Sequence, residues 1–106
     1  MDIMKLKEEI KHFDIENRAI QSFWDTLEKY KSEDIYEYKK HFIHDDINKF
    51  YIAISSISLK LGNWPECSYN HLVVRIPIWY NESHMGDYLV MFTLDGEIDD
   101  DMLNVF

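Results

Sequence analysis

The stretch HLVVRIPIWYNESHMGDYLVMFTL, residues 71–94, decides the fold class of this chain. Two runs within it, residues 71–80 and 87–94, place apolar side chains at every second position, which is the pattern of β-strands. Residues 81–86 between them predict a hairpin loop of ordinary length. Because Pro77 cannot donate a backbone hydrogen bond, we expect its strand to lie at a sheet edge or to carry a bulge. Both faces of the hairpin are partly apolar, so we expect helices on one face and sheet curvature, further chain or a partner protein on the other.

Upstream of the hairpin, apolar residues recur at helical spacing. Residues 3–13 predict a short amphipathic helix with Lys and Glu on its outer side. Residues 15–30 predict a longer helix, and Asp14 stands where its side chain can cap the first turn. The first third of the chain is therefore expected to be helical.

The segment between these helices and the hairpin fits more than one structure. Residues 32–44 fit a helix that Ser32 caps, or a short strand rich in aromatic residues, and we favour the helix. Residues 47–63 fit a helix or a strand with a bulge, and their density of β-branched residues favours the strand. The choice between helix and strand over residues 32–61 stays open on sequence grounds.

The chain closes with LDGEIDDDMLNVF, residues 94–106, which holds five carboxylates between Asp95 and Asp101. Asp95 and Gly96 predict a tight turn, and the residues after them fit a short strand or a helical turn. We expect the apolar residues of this tail to attach it to the sheet and the carboxylates to point outwards as one cluster. Like charges so close together repel one another, so such a cluster invites a functional explanation.

Length and composition predict one folded unit. With 46% hydrophobic and 15% aromatic residues in a chain of 106, residues 1–106 are expected to form a single domain. Helices followed by strands predict an α+β fold, in which N-terminal helices pack on a C-terminal antiparallel sheet. The sequence has no apolar run of membrane-spanning length and no secretion signal, and Cys67 is its only cysteine. We therefore expect a cytoplasmic protein.

The charge of the chain is unevenly distributed. Its formal net charge of −9 argues against binding to nucleic acid or to an anionic membrane. All eleven Lys and Arg lie in residues 1–75 with 13 acidic residues, whereas residues 76–106 hold seven acidic residues and no Lys or Arg. Such an asymmetric body attracts a cationic partner and accelerates its association. An acidic surface that only keeps the protein soluble is the alternative explanation.

No catalytic or cofactor signature accompanies this charge. The run from Asp99 to Asp101 lacks the two different environments that a catalytic acid and base need, so we predict that the chain is not an enzyme. His41 and His44 stand beside Asp45 and Asp46, but this spacing does not complete a set of metal ligands. We therefore predict no cofactor and no metal, and a protein is the expected partner.

The helical N-terminus and the closing GDYLVMFTLDGEIDDDML, residues 86–103, resemble bacterial toxin-immunity proteins of the polymorphic and contact-dependent growth inhibition systems. Such proteins bind the toxin domain of a sibling cell, often a basic nuclease, and block its active site or its substrate-binding surface. For a protein of this kind we expect a surface on which carboxylates replace nucleic-acid phosphates and two tryptophans act as apolar anchors, although the resemblance itself identifies no contact residues. The residues expected to form it are Asp95, Glu97, Asp99, Asp100, Asp101, Glu82, Asp87, Trp79 and Trp64.

The same layout also resembles the NTF2-like cone, in which N-terminal helices close over a strongly curved sheet. That resemblance implies a small-molecule-binding or catalytic domain, with Tyr, Trp and His residues around a pocket inside the cone. A phage-borne nucleic-acid mimic is a further alternative, because it also relies on surface carboxylates.

Overall fold

The computed structural model describes residues 2–106, in which three helices precede five strands. The helices are α1 (Ile3–His12), α2 (Ile15–Glu33) and α3 (Ile35–His41), and a 3-10 turn (Ile47–Lys49) follows them. The strands are β1 (Phe50–Ile52), β2 (Ser56–Gly62), β3 (Tyr69–Tyr80), β4 (Ser83–Thr93) and β5 (Ile98–Val105). The helices pack on one face of the antiparallel sheet, which confirms the predicted α+β fold. No helix within residues 2–106 is long and apolar enough to cross a membrane.

The corner between α1 and α2 departs from the prediction at Asp14. This residue adopts a left-handed backbone conformation, with φ of 53°, and its carboxylate does not bond to the first N–H groups of α2. The carboxylate instead accepts a hydrogen bond from the side chain of Asn17, at 2.9 Å. The predicted side-chain cap is wrong because capping needs an extended backbone at this position.

The helix predicted after Ser32 is confirmed as α3, but it begins later than expected. Helix α2 continues through Glu33, so Ser32 lies in the last turn of α2, where its hydroxyl donates to the carbonyl of Lys29. Asp34 caps α3 by accepting a hydrogen bond from the backbone N–H of Glu37, at 3.3 Å. The predicted Ser32 cap is wrong because the preceding helix is longer than its apolar pattern indicated.

The strand predicted within residues 47–63 is confirmed, in two pieces. β1 and β2 both pair antiparallel with β3, and residues 53–55 separate them. β4 pairs with the other side of β3 and β5 follows β4, so β3 is central rather than at an edge.

Pro77 is tolerated in this central strand because of the break between β1 and β2. The backbone carbonyl of Arg75 points to the side of β3 where β1 and β2 pair, and it accepts a hydrogen bond from the N–H of Ser55. Because backbone polar groups alternate sides along a strand, the backbone of Pro77 faces the same side. The β1 pairing ends at Ile78 and the β2 pairing begins at Arg75, so no neighbour requires the missing N–H. The pairing of β3 with β4 shifts its register between Ile78 and Trp79, next to Pro77, where the sequence predicted a bulge.

The hairpin between β3 and β4 is tighter than the predicted loop of residues 81–86. Asn81 and Glu82 alone form the turn, and their φ angles of 48° and 68° are both positive, as in a type I′ turn. This conformation lets Tyr80 and Ser83 pair directly, so β4 begins at Ser83. The polar residues after the turn belong to a strand because pairing with β3 outweighs their preference for loops.

Packed side chains fill the space between the helices and the curved, open sheet. Alternate residues of β3 and β4 point towards α2, where aromatic and β-branched side chains meet. The largest fully buried side chains are Tyr88, Phe23, Phe42, Phe92, Ile15, Ile76, Ile78, Val74 and Val90. These side chains fill the centre of this layer, whereas a crevice remains at the β1 side, between α2, α3 and the segment that leads into β1. The NTF2-like alternative, which expects a pocket inside the cone, stays a prediction.

Candidate functional site

The face of the sheet that points away from the helices carries a row of aromatic rings. Tyr51 of β1 lies beside Trp79 of β3, which pairs with His84 of β4. The rings of Trp79 and His84 stack with centroids 5.0 Å apart, and Phe106 approaches His84 edge-on at 5.1 Å. Tyr51, Trp79 and Phe106 are exposed. The sequence predicted only Trp79 of this row, because the register that aligns the strands leaves no local pattern.

Asp87 lies on the same face, and its charge is compensated within the chain. Its Oδ1 atom accepts a hydrogen bond from Nη2 of Arg75 at 2.8 Å and lies 3.1 Å from Nε2 of His84. Nη1 of Arg75 also donates to the hydroxyl of Ser55 at 3.1 Å, which holds the guanidinium on the sheet. Asp87, which was predicted to bind the partner, therefore contributes little free negative charge.

Asp101 points to the opposite face of the sheet, towards α2. Its Oδ2 atom accepts hydrogen bonds from the hydroxyls of Tyr88 and Thr26, both at 2.8 Å. The Tyr88 hydroxyl also lies 2.6 Å from that of Ser22, and burial raises the pKa of Tyr88 above its usual value. Asp101 thus attaches β5 to α2, which departs from the expectation of a single outward cluster.

Six of the seven predicted carboxylates form no ion pair within residues 2–106. Apart from Glu82 in the β3–β4 turn and Asp101, which is bonded to α2, four of them follow one another along the β4–β5 turn and the edge of the sheet. Asp95 and Glu97 lie in the turn between β4 and β5, and Asp99 and Asp100 lie on β5. β5 is the last strand of the sheet, so no strand within residues 2–106 lies along its outer side. We call Asp95, Glu97, Asp99 and Asp100 the acidic edge.

The turn that carries half of the acidic edge is attached to the helical layer by Arg18. Its Nη1 atom donates to the carbonyl of Gly96 at 2.6 Å and to the carbonyl of Phe13 at 3.1 Å. The guanidinium also lies 5.2 Å from the centre of the Phe92 ring. These contacts join α1, α2, β4 and the turn, so the position of the turn depends on the helices.

The remaining predicted residues lie at opposite ends of the sheet. Trp64 lies in the loop between β2 and β3, at the same end as the β4–β5 turn. Trp79 and Glu82 lie at the other end, beside the β3–β4 turn. Because a strand rises ~3.3 Å per residue, the two tryptophans are more than ~25 Å apart. They cannot both anchor one small contact, and only Trp64 shares an end of the sheet with Asp95 and Glu97.

The chain shows no significant similarity to any protein-family model, curated protein or solved structure with which it was compared. In the part of the chain that the structure describes, no three His, Cys, Asp or Glu side chains lie close enough to hold a metal ion.

Proposed function

We propose that this chain is an immunity-type protein that binds and neutralises a cognate toxin domain, basic and nuclease-like, through its acidic edge. The observation that supports the proposal is the line of four carboxylates without ion pairs in residues 2–106, within a region, residues 76–106, that has no Lys or Arg. Nucleases hold phosphates with Lys and Arg side chains, which carboxylates can also engage. A toxin engaged in this way cannot hold its nucleic-acid substrate.

The open sheet face can supply the apolar part of the contact. Met102 of β5 is exposed and pairs with Leu89, and the neighbouring Met91 pairs with Asp100 of the acidic edge. Protein interfaces commonly combine an apolar centre with a polar rim. In this arrangement the apolar side chains contribute affinity by leaving water, and the carboxylates select a basic partner.

The charge asymmetry predicts how the complex forms. Attraction between exposed charges extends over ~10 Å at 0.1 M salt and ~30 Å at 0.01 M salt. The association rate should therefore fall steeply with salt, while the dissociation rate changes less.

The proposal is tested with a basic protein that co-purifies with the chain from its native host or is encoded beside it. The first variant neutralises the acidic edge with Asp95→Asn, Glu97→Gln, Asp99→Asn and Asp100→Asn. The matched control makes the same change in net charge on exposed helical positions, with Glu8→Gln, Glu9→Gln, Glu16→Gln and Glu33→Gln. Affinities are measured by calorimetry, and protection is measured as survival of cells that produce the toxin.

Neutralising the acidic edge should weaken binding by about 100-fold, since four rim charges each contribute about threefold. The control should bind within about threefold of the wild-type chain, because its charges lie away from the contact. Equal losses in both variants would mean that net charge matters and the acidic edge does not. Full binding and full protection by the first variant would refute the proposal.

A further inference from the structure

A crevice lies at the β1 side of the molecule, across the sheet from the acidic edge, between α2, α3 and the segment that leads into β1. Its volume of about 470 Å³ is within the range of small-molecule sites. The side chains that line it include Trp24, Glu28, Lys31, Tyr38, Asp46 and Phe50.

Aromatic rings form the apolar surface of the crevice. The rings of Trp24 and Phe50 meet edge-to-face with centroids 5.7 Å apart, and both are only half-buried. Tyr38 is buried at the crevice, and burial, followed by its contact with Asp45, raises the pKa of Tyr38 far above its usual value. Its hydroxyl therefore stays neutral, and the rings offer a flat surface to a ligand.

The charges that line the crevice do not balance. Nζ of Lys31 lies 2.8 Å from Oδ2 of Asp45, and this hydrogen bond lowers the pKa of Asp45 and raises that of Lys31. Lys31 and Asp45 thus compensate each other. Glu28 and Asp46 also line the crevice and form no ion pair within residues 2–106.

The position of Asp46 is set by the backbone. Its Oδ1 atom accepts a hydrogen bond from the N–H of Asn48 at 3.0 Å, which leaves Oδ2 without a bond to the described residues. Glu28 is exposed on α2, one turn from Trp24, so its carboxylate and the Trp24 ring share one face of the helix. His44 stands exposed at the rim of the crevice.

We propose that this crevice binds a guanidinium group, stacked on Trp24 and hydrogen-bonded to Glu28 and Asp46. A planar guanidinium stacks on an aromatic ring and presents donors in several directions, whereas an ammonium group is compact and more strongly hydrated. An anion would meet the two uncompensated carboxylates and be repelled. This inference does not depend on the proposed function, because none of these residues belongs to the acidic edge.

The test uses Trp24 as the reporter. The chain has three tryptophans, so the variant Trp64→Phe/Trp79→Phe leaves Trp24 as the only one. Titration with n-butylguanidinium should change its fluorescence in a saturable way. The uncharged n-butylurea, which has nearly the same shape, and n-butylammonium should each bind at least about tenfold more weakly.

Further variants in the Trp64→Phe/Trp79→Phe background distinguish the effect of the two crevice carboxylates on binding from the effect of net charge. Glu28→Gln/Asp46→Asn, which keeps the shape of both side chains, should weaken binding of n-butylguanidinium by at least about tenfold. Glu16→Gln/Glu33→Gln removes the same charge from exposed sites elsewhere on α2 and should change binding less than about twofold. The inference fails if n-butylguanidinium produces no saturable change, if n-butylurea binds equally well, or if Glu28→Gln/Asp46→Asn binds normally.

The source of the guanidinium is identified with the peptide acetyl-Gly-Arg-Gly-amide, with its citrulline analogue as the uncharged control. Tighter binding of the arginine peptide than of n-butylguanidinium would support the site and identify a protein arginine as its ligand. Tighter binding of n-butylguanidinium would support the site and identify a free small molecule. The variant that neutralises the acidic edge should bind both probes normally, which separates this site from the proposed toxin contact.

Discussion

Single side chains decide which C-terminal carboxylates can act on a partner. Asp87 is held by Arg75, and Asp101 is held by the hydroxyls of Tyr88 and Thr26. A carboxylate that accepts several hydrogen bonds within the fold is less available to a cation from outside. The negative charge available to a partner is therefore smaller than the count of acidic residues indicates.

Asp101 should behave as a structural residue. Asp101→Ala should lower the free energy of unfolding by about 1–2 kcal/mol, because the buried Tyr88 hydroxyl loses an acceptor while it keeps Ser22 as a partner. Asp99→Ala is the matched control and should change stability by less than about 0.5 kcal/mol. Urea unfolding measured by tryptophan fluorescence compares the two. Equal effects would show that Asp101 acts only as a surface charge.

Tyr38 should make the free energy of unfolding fall at high pH. Its pKa in the folded chain is raised above the usual value of 10.0, mainly by burial, so the unfolded chain releases this proton first as the pH rises. This contribution to stability is complete below about pH 10 and is lost as the pH rises towards the folded pKa. Tyr38→Phe should therefore flatten the fall in stability above about pH 10.

The control for Tyr38 is Tyr36→Phe on the same helix, because the Tyr36 ring is exposed. Urea unfolding at several pH values measures the slope of stability against pH for each protein. A slope in Tyr38→Phe that equals the wild-type slope would mean that Tyr38 does not account for the alkaline loss.

At the level of elements, the β4–β5 turn connects the two layers of the fold as well as two strands. Gly96 adopts φ of 85°, a conformation that residues with a side chain rarely adopt. A Cβ atom at this position would collide with the ring of Phe13, at the corner between α1 and α2. The turn needs glycine for its backbone conformation and for space.

Gly96→Ala should destabilise the fold by at least about 2 kcal/mol. Alanine is strained in the left-handed backbone conformation, and its Cβ atom would also overpack against Phe13. Thermal and urea unfolding measure the loss. In a Phe13→Leu background the same substitution should cost less, because part of the collision is removed and the φ penalty remains. A loss below about 0.5 kcal/mol in the wild-type background would contradict this account of the turn.

For the whole molecule, the uneven charge produces repulsion that the fold does not compensate locally. The net charge is −9, and residues 76–106 contribute seven acidic residues and no Lys or Arg. The acidic edge lies on an edge strand, where charged side chains also discourage pairing with other chains. Part of this charge therefore opposes aggregation at a small cost in stability.

Salt should stabilise the fold. Raising the salt concentration from ~10 to ~150 mM shortens the Debye length from ~30 to ~8 Å and should raise the free energy of unfolding by about 1 kcal/mol. Neutralising the acidic edge changes the net charge from −9 to −5 and should reduce this salt effect more than the matched helical control does. Urea unfolding at both salt concentrations tests this. A larger reduction in the helical control would show that the repulsion is centred on the helices.

The parts of the fold that were predictable rest on local patterns. Alternation over residues 71–94 was sufficient for β3 and β4, and helical spacing over residues 3–30 was sufficient for the first two helices. The sequence left β1, β2 and β5 open between strand and helix. The predictions at Asp14, at Ser32 and at residues 81–86 failed because helix lengths, left-handed residues and strand pairing override local preferences for caps and loops.

The sequence by itself determined the α+β class and the concentration of negative charge in residues 76–106, because both follow from the order of residues along the chain. Only the tertiary structure decided where each carboxylate points. The pairing of β3, β4 and β5 places Asp87 against Arg75, turns Asp101 towards α2 and leaves the acidic edge at the open side of the sheet. A shift of one residue in register would exchange these faces, and the long-range contacts that set the register have no local signature in the sequence.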